Sequence, residues 1–116
     1  NENVLKSFEN ELKQGAIPFV ESNFRVETDA KNRALAGLSM GGMQTLYAGI
    51  RNTEMFSSLG VFSSGWFANN TALTTPQYEF MKNNADKING NIKNLVRKIL
   101  LLITAKSCGL NLMNSA

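Results

Sequence analysis

The chain has 116 residues, one cysteine, no histidine and a net charge of +3. That length allows one domain at most, the single cysteine (Cys108) excludes an intrachain disulfide, and no apolar run reaches the length of a membrane span. The positive charges are dispersed, densest at Lys93, Arg97 and Lys98. Without a basic patch interleaved with aromatics, nucleic-acid binding is not the reading.

In chain order, Val4, Leu5, Phe8 and Leu12 repeat at helical spacing among polar residues, and Ile17, Val20 and Phe24 continue the pattern. Gly15 and Pro18 interrupt it. Pro18 has no N–H for the preceding turn, so a kink or a new first turn is expected there. The segment reads as a crossover helix whose task is packing. Glu27 to Asn32 is a polar surface link. Ala34 to Leu38 is uncharged and reads as a fully buried strand. Met43, Leu46, Tyr47 and Ile50 carry the helical spacing of Met40 to Ile50.

Between that strand and that helix lies Gly37-Leu38-Ser39-Met40-Gly41. It is a G-x-S-x-G pattern, the nucleophile elbow, in which a serine sits on a sharp strand-to-helix turn. The chemistry explains the residue types. A strained backbone pushes the serine Oγ off the end of the sheet. Strand and helix then pass so close that flanking residues must lack a Cβ, which Gly37 and Gly41 satisfy. The alternative is a glycine-rich turn with Ser39 as an ordinary turn residue.

Ser57 to Ser63 reads as the next strand. The loop after it, Ser64-Gly65-Trp66-Phe67-Ala68-Asn69-Asn70, lies at a carboxyl strand end, where open α/β sheets bind ligands. Trp66 and Phe67 are therefore candidates either to wall an acyl or aromatic pocket beside Ser39 or only to anchor the loop. Thr75 as N-cap and Pro76 at the first position open a helix containing Tyr78, Phe80 and Met81. Asn89-Gly90-Asn91 marks a turn, and Leu95 to Thr104 looks strand-like. The expected fold class is α/β, a parallel sheet with crossover helices, with Ala34–Leu38, Ser57–Ser63 and Leu95–Thr104 as parallel neighbours. There is no metal-spaced ligand cluster.

The run Ala16 to Val26, Thr28-Asp29, the run Asn32 to Gln44, and Phe56 to Ser64 resemble the esterase D-like serine esterases. Within that group the resemblance is strongest to the feruloyl and acetyl-xylan esterases of carbohydrate esterase family one. It implies a partial α/β-hydrolase fold over residues 1–95 and leaves 96–116 as a tail without a match. It further implies a serine carboxylic-ester hydrolase with Ser39 as nucleophile, the Met40 backbone N–H as oxyanion donor and Gln44 as a further substrate contact. No cofactor is implied. The substrate would be an ester, either an acylated plant polysaccharide or a small acyl ester, and the parent enzyme a secreted or periplasmic bacterial one.

The departures from the pattern are as informative. The family's base is a histidine oriented by an acid, in the order Ser, Asp or Glu, His, and this chain has no histidine. The segment after the expected third strand, Lys106 to Ala116, has no carboxylate. Asp86 lies in a helix and does not take the role. A complete sheet of this kind needs about twice the length. The expectation is therefore a piece of a longer domain, by truncation or by a reading-frame shift near Leu95. It would be close to inactive alone and prone to self-association through exposed sheet edges. The alternative function is a non-catalytic esterase-like module that binds carbohydrate or protein through the Trp66 loop.

Overall fold

The computed structural model describes residues 2–65 and 70–92. The chain opens with helix α1 (Glu2–Glu11), a π-helical turn (Leu12–Ala16) and helix α2 (Ile17–Asn23), which run on as one interrupted helix. The interruption falls where Gly15 and Pro18 predict it. Ile17 N–H bonds to Leu12 O, five residues back, and Pro18 stands in the first turn of α2. The wider turn accommodates a residue with neither an N–H nor room for a tight preceding carbonyl. A short 3₁₀ turn (Ala30–Asn32) leads into strand β1 (Ala34–Leu38), then helix α3 (Met40–Arg51), strand β2 (Ser58–Phe62), helix α4 (Thr71–Asn83) and helix α5 (Ala85–Ile92).

β1 and β2 are parallel, in register from Ala34 opposite Ser58 to Leu38 opposite Phe62. The connection through α3 is the crossover that parallel pairing requires. Among the described residues the fold is thus mixed, with a two-stranded parallel sheet. The third expected strand, Leu95–Thr104, lies outside the described residues.

The sheet is not covered evenly. Leu59 and Val61 are buried, and Leu59 packs directly beneath Gly49 of α3. Ala34, Ala36 and Leu38 alternate to the other side and are exposed, Leu38 to 66%. β1 is therefore not the fully buried strand its uncharged sequence suggests. It lacks charge because it is apolar on both faces, and only one face has a partner among the described residues. α2 behaves similarly: it buries no residue, and Phe19, Val20 and Phe24 are exposed, so the apolar pattern continues past the point where packing stops.

Two clusters hold the described fold. One joins Leu5 to Tyr47 and Ile50, flanked by Met43, Leu46, Leu73, Tyr78, Phe80 and Met81. The other joins Phe56 and Leu59, flanked by Leu12, Ile17, Leu35 and Met55. Polar side chains tie the helices of the first cluster together. Arg51 stacks on the rings of Tyr47 (3.8 Å) and Phe80 (4.3 Å) and donates to Gln77 Oε1, linking α3 to α4. Burial raises the Tyr47 hydroxyl above its ordinary pKa of 10, and the Arg51 charge opposes that shift. Asn52, just past the end of α3, donates to Glu9 Oε1 (2.7 Å) and Ala48 O (2.8 Å), fixing α3 against α1.

Two helix boundaries differ from expectation. α4 begins at Thr71, because the Asn70 side chain accepts from Leu73 N–H at 3.3 Å and acts as the N-cap. Pro76 is therefore inside the helix instead of opening it. α5 runs through Asn89-Gly90-Asn91, where a turn was expected. Tertiary contacts outweigh local turn preference there: Ile88 is buried and Asn91 donates to Thr53 Oγ1 at 2.7 Å.

Arg33 secures the entry to β1. It donates to Met55 O (3.1 Å) and Thr28 O (3.0 Å) and pairs with Glu21, while its own carbonyl accepts from Ser57 N–H at 2.9 Å. One guanidinium thus joins α2, the link after it and the start of β2. Replacing it leaves two carbonyls and a carboxylate short of a charged donor. Arg33→Ala is expected to lower stability by about 2–3 kcal/mol. The check is the urea midpoint beside Lys31→Ala, whose side chain is exposed; equal midpoints would show that the cluster holds nothing.

Candidate active site

The site is built where β1 hands over to α3. Ser39 N–H bonds to Phe62 O at 2.9 Å, so the ladder runs one residue beyond β1 and pins Ser39 to the end of β2. Ser39 O then accepts from Met43 N–H at 3.1 Å, the first bond of α3. Strand pairing on one side and helix on the other leave Ser39 at φ 55, ψ −116. A residue with a Cβ pays a strain of order 1–3 kcal/mol for such a backbone.

The Oγ of Ser39 caps no helix N–H. A serine at an N-cap normally accepts from the N–H two or three residues on, yet Ser39 makes no side-chain cap bond. The residue is exposed, and among the described residues no hydrogen bond to its Oγ is formed. An ordinary capping serine would be occupied. Beside the hydroxyl, the first-turn N–H groups of α3, Met40 among them, have no intrahelical acceptor, and the positive end of the helix dipole lies there. The Met40 side chain is 66% exposed. Gln44 is half-buried, one turn along α3 from Met40.

The glycines divide the work differently from expectation. A Cβ on Gly37 would meet the backbone C=O of Gly41 and N of Gly42 well inside 3.0 Å. Backbone cannot swing aside, so Gly37 is obligatory. A Cβ on Gly41 would meet nothing within 4 Å. The second close approach is at Gly42, where a Cβ would lie 2.6 Å from Ser64 Cβ and 3.1 Å from Phe62 O. Gly37 thus admits the helix, and Gly42 lets the end of β2 pass beneath it.

Sequence reasoning missed the end of β2. Ser63 also has positive φ, 48°, and is exposed. Ser64 Oγ is buried without a hydrogen-bond partner among the described residues. Nothing in a serine codes for φ > 0, so no signal in the sequence could have marked Ser63. The expected pocket residues Trp66 and Phe67 lie outside the described residues. The chain does leave the carboxyl end of β2 beside Ser39, which is where their loop begins. Among the described residues there is no group of side chains spaced to hold a metal ion, and no helix long and apolar enough to cross a membrane.

The sequence that folds this way has relatives among known proteins. The family model "Putative esterase" matches residues 1–91, and the chain belongs to that esterase family. A segment of 64 residues, 55% of the chain, is 42% identical to an endo-1,4-beta-xylanase/feruloyl esterase of Xylanibacter ruminicola and covers 9% of that protein. A segment of 58 residues, 50% of the chain, is 31% identical to the uncharacterized protein YbbA of Bacillus subtilis, covering 23% of it. The chain therefore spans less than a quarter of the length of either relative in these matches.

The glycine geometry makes a direct prediction. Gly37→Ala is expected to cost more than about 3 kcal/mol, because the colliding atoms are backbone. Gly41→Ala is expected to be neutral or to stabilise by up to about 1 kcal/mol through helix propensity. Thermal unfolding of the two variants side by side decides it, and equal losses would contradict the division of roles.

Proposed function

We propose that this chain carries the nucleophile portion of a serine carboxylic-ester hydrolase with an α/β-hydrolase fold. The observation that carries the reading is Ser39: strained, exposed and released from capping duty at the mouth of a helix. In this reading β1, Ser39 and α3 form a nucleophile elbow. Ser39 Oγ attacks the ester carbonyl, and the Met40 N–H, aided by the α3 dipole, stabilises the oxyanion of the tetrahedral intermediate. Collapse expels the alcohol and leaves an acyl-serine, which water then cleaves. The 42% identity to a protein named xylanase/feruloyl esterase supports feruloyl esters as the parent enzyme's substrates, and acetyl esters of xylan are the alternative within the same reading.

The reading also states what this chain cannot do. A serine hydroxyl needs a base at neutral pH, and the chain contains no histidine. In a related triad, removing the serine or the histidine costs on the order of 10⁶-fold in rate. The isolated chain is therefore expected to show no Ser39-dependent turnover of nitrophenyl acetate or methyl ferulate. Fluorophosphonate labelling, followed by mass spectrometry, should be slow, faster when imidazole supplies a base, and absent in Ser39→Ala. Labelling that persists in Ser39→Ala would sink the nucleophile assignment. The missing histidine is also what favours the second reading, a non-catalytic module that binds carbohydrate or protein. A binding module gains nothing from a strained serine, and on that ground the esterase reading is preferred.

We also propose that the chain self-associates through the outer edge of β1. That edge has no strand partner among the described residues, and its five residues carry no charge or proline to discourage pairing. Sedimentation should show concentration-dependent association, and Ala36→Lys should weaken it severalfold. Association unaltered by Ala36→Lys would place the contact elsewhere.

A further inference from the structure

The two strands end alike. Continuing the register past Leu38 opposite Phe62 sets Ser39 opposite Ser63. These are the two non-glycine residues with positive φ among the described residues, 55° and 48°. Both are exposed. Neighbouring strands lie about 4.8 Å apart, so the two serines stand side by side at the carboxyl edge of the sheet.

The strain at Ser63 has a local use. A left-handed residue there turns the chain so that Ser64 tucks beneath α3, its Cβ against Gly42. Glycine would make that turn without strain. A serine at this position keeps the strain and adds one thing, a hydroxyl. Among the described residues no hydrogen bond to that hydroxyl is formed, and the residue is exposed. A strained position that carries a hydroxyl where glycine would serve the turn, at the mouth of a site, is the pattern expected of a functional group.

We propose that Ser63 is a substrate-binding residue of the Ser39 site, its hydroxyl hydrogen-bonding an oxygen of the bound ester. This rests on the reading of Ser39 as the nucleophile of an ester site. The spacing suits it. A hydroxyl one strand over can reach an ester oxygen at 2.7–3.0 Å while the carbonyl carbon sits above Ser39. Ser63 acts in binding, not in the transfer of a proton or an acyl group. Its contribution therefore remains measurable in a chain that lacks a base.

The test is methyl ferulate binding, followed by ligand-observed NMR titration, to the whole chain and to Ser63→Gly and Ser63→Ala. Ser63→Gly relieves the backbone strain, so its melting temperature should match or exceed that of the parent, which separates a loss of binding from a loss of fold. The expected result is about fivefold weaker binding in both Ser63 variants, the loss of one net hydrogen bond. Binding that is equal in parent, Ser63→Gly and Ser63→Ala overturns the role of Ser63 and leaves the ester site standing. No binding by the parent chain overturns the ester-site reading and the role of Ser63 with it.

Discussion

The contact on which the rest depends is the one between Gly37 and the backbone of Gly41 and Gly42. No side chain fits between β1 and the start of α3. That proximity forces the chain to reverse within a single residue, and Ser39 absorbs the reversal at positive φ. It also sets α3 against the sheet closely enough for Gly49 to ride on Leu59. From there the first cluster forms, since Tyr47 and Ile50 reach Leu5 only when α3 lies flat. A larger residue at position 37 would lift the helix, and the strain, the exposed hydroxyl and the core contacts would relax together.

Strain of this kind needs support from both sides. The strand side comes from Ser39 N–H on Phe62 O, and from Arg33, which anchors the other end of β1 to Met55 and Thr28. The helix side comes from Asn52 and Arg51, which fix the far end of α3 to α1 and α4. The polar residues that matter to the site are thus a full element away from it. They hold a short helix and a short strand at a distance neither would choose alone.

Much of this was legible in the sequence because the relevant constraints are local. The apolar run from Ala34, the glycines around Ser39 and the helical spacing to Ile50 place β1, the turn and α3 within a residue of where they lie, and Pro18 marks the break before α2. What was not legible depends on tertiary contact. The turn signal Asn89-Gly90-Asn91 is overruled by Ile88 burying itself and Asn91 reaching Thr53. Thr75-Pro76 is a good helix opening, but Asn70 caps five residues earlier. Gly41 satisfies the motif, yet Gly42 meets Ser64, because the second close approach involves the end of β2, which lies over twenty residues along the chain. A linear pattern does not reveal which element will pass beneath which.

The same logic explains why the two sides of the sheet differ. On the α3 side Leu59 is covered by Gly49, ten residues earlier in the chain, and a crossover of that length closes at modest entropic cost. On the other side Ala34, Ala36 and Leu38 have no described partner, although their composition is that of a buried surface. A strand written for burial on both faces, in a chain matching a small part of its relatives' length, keeps a composition suited to contacts that the described residues do not make. That mismatch raises the cost of the exposed edge, and it falls beside Ser39. The stability of the sheet edge and the proposed chemistry of the serine therefore share one piece of backbone, since exposed Leu38 leads directly into Ser39.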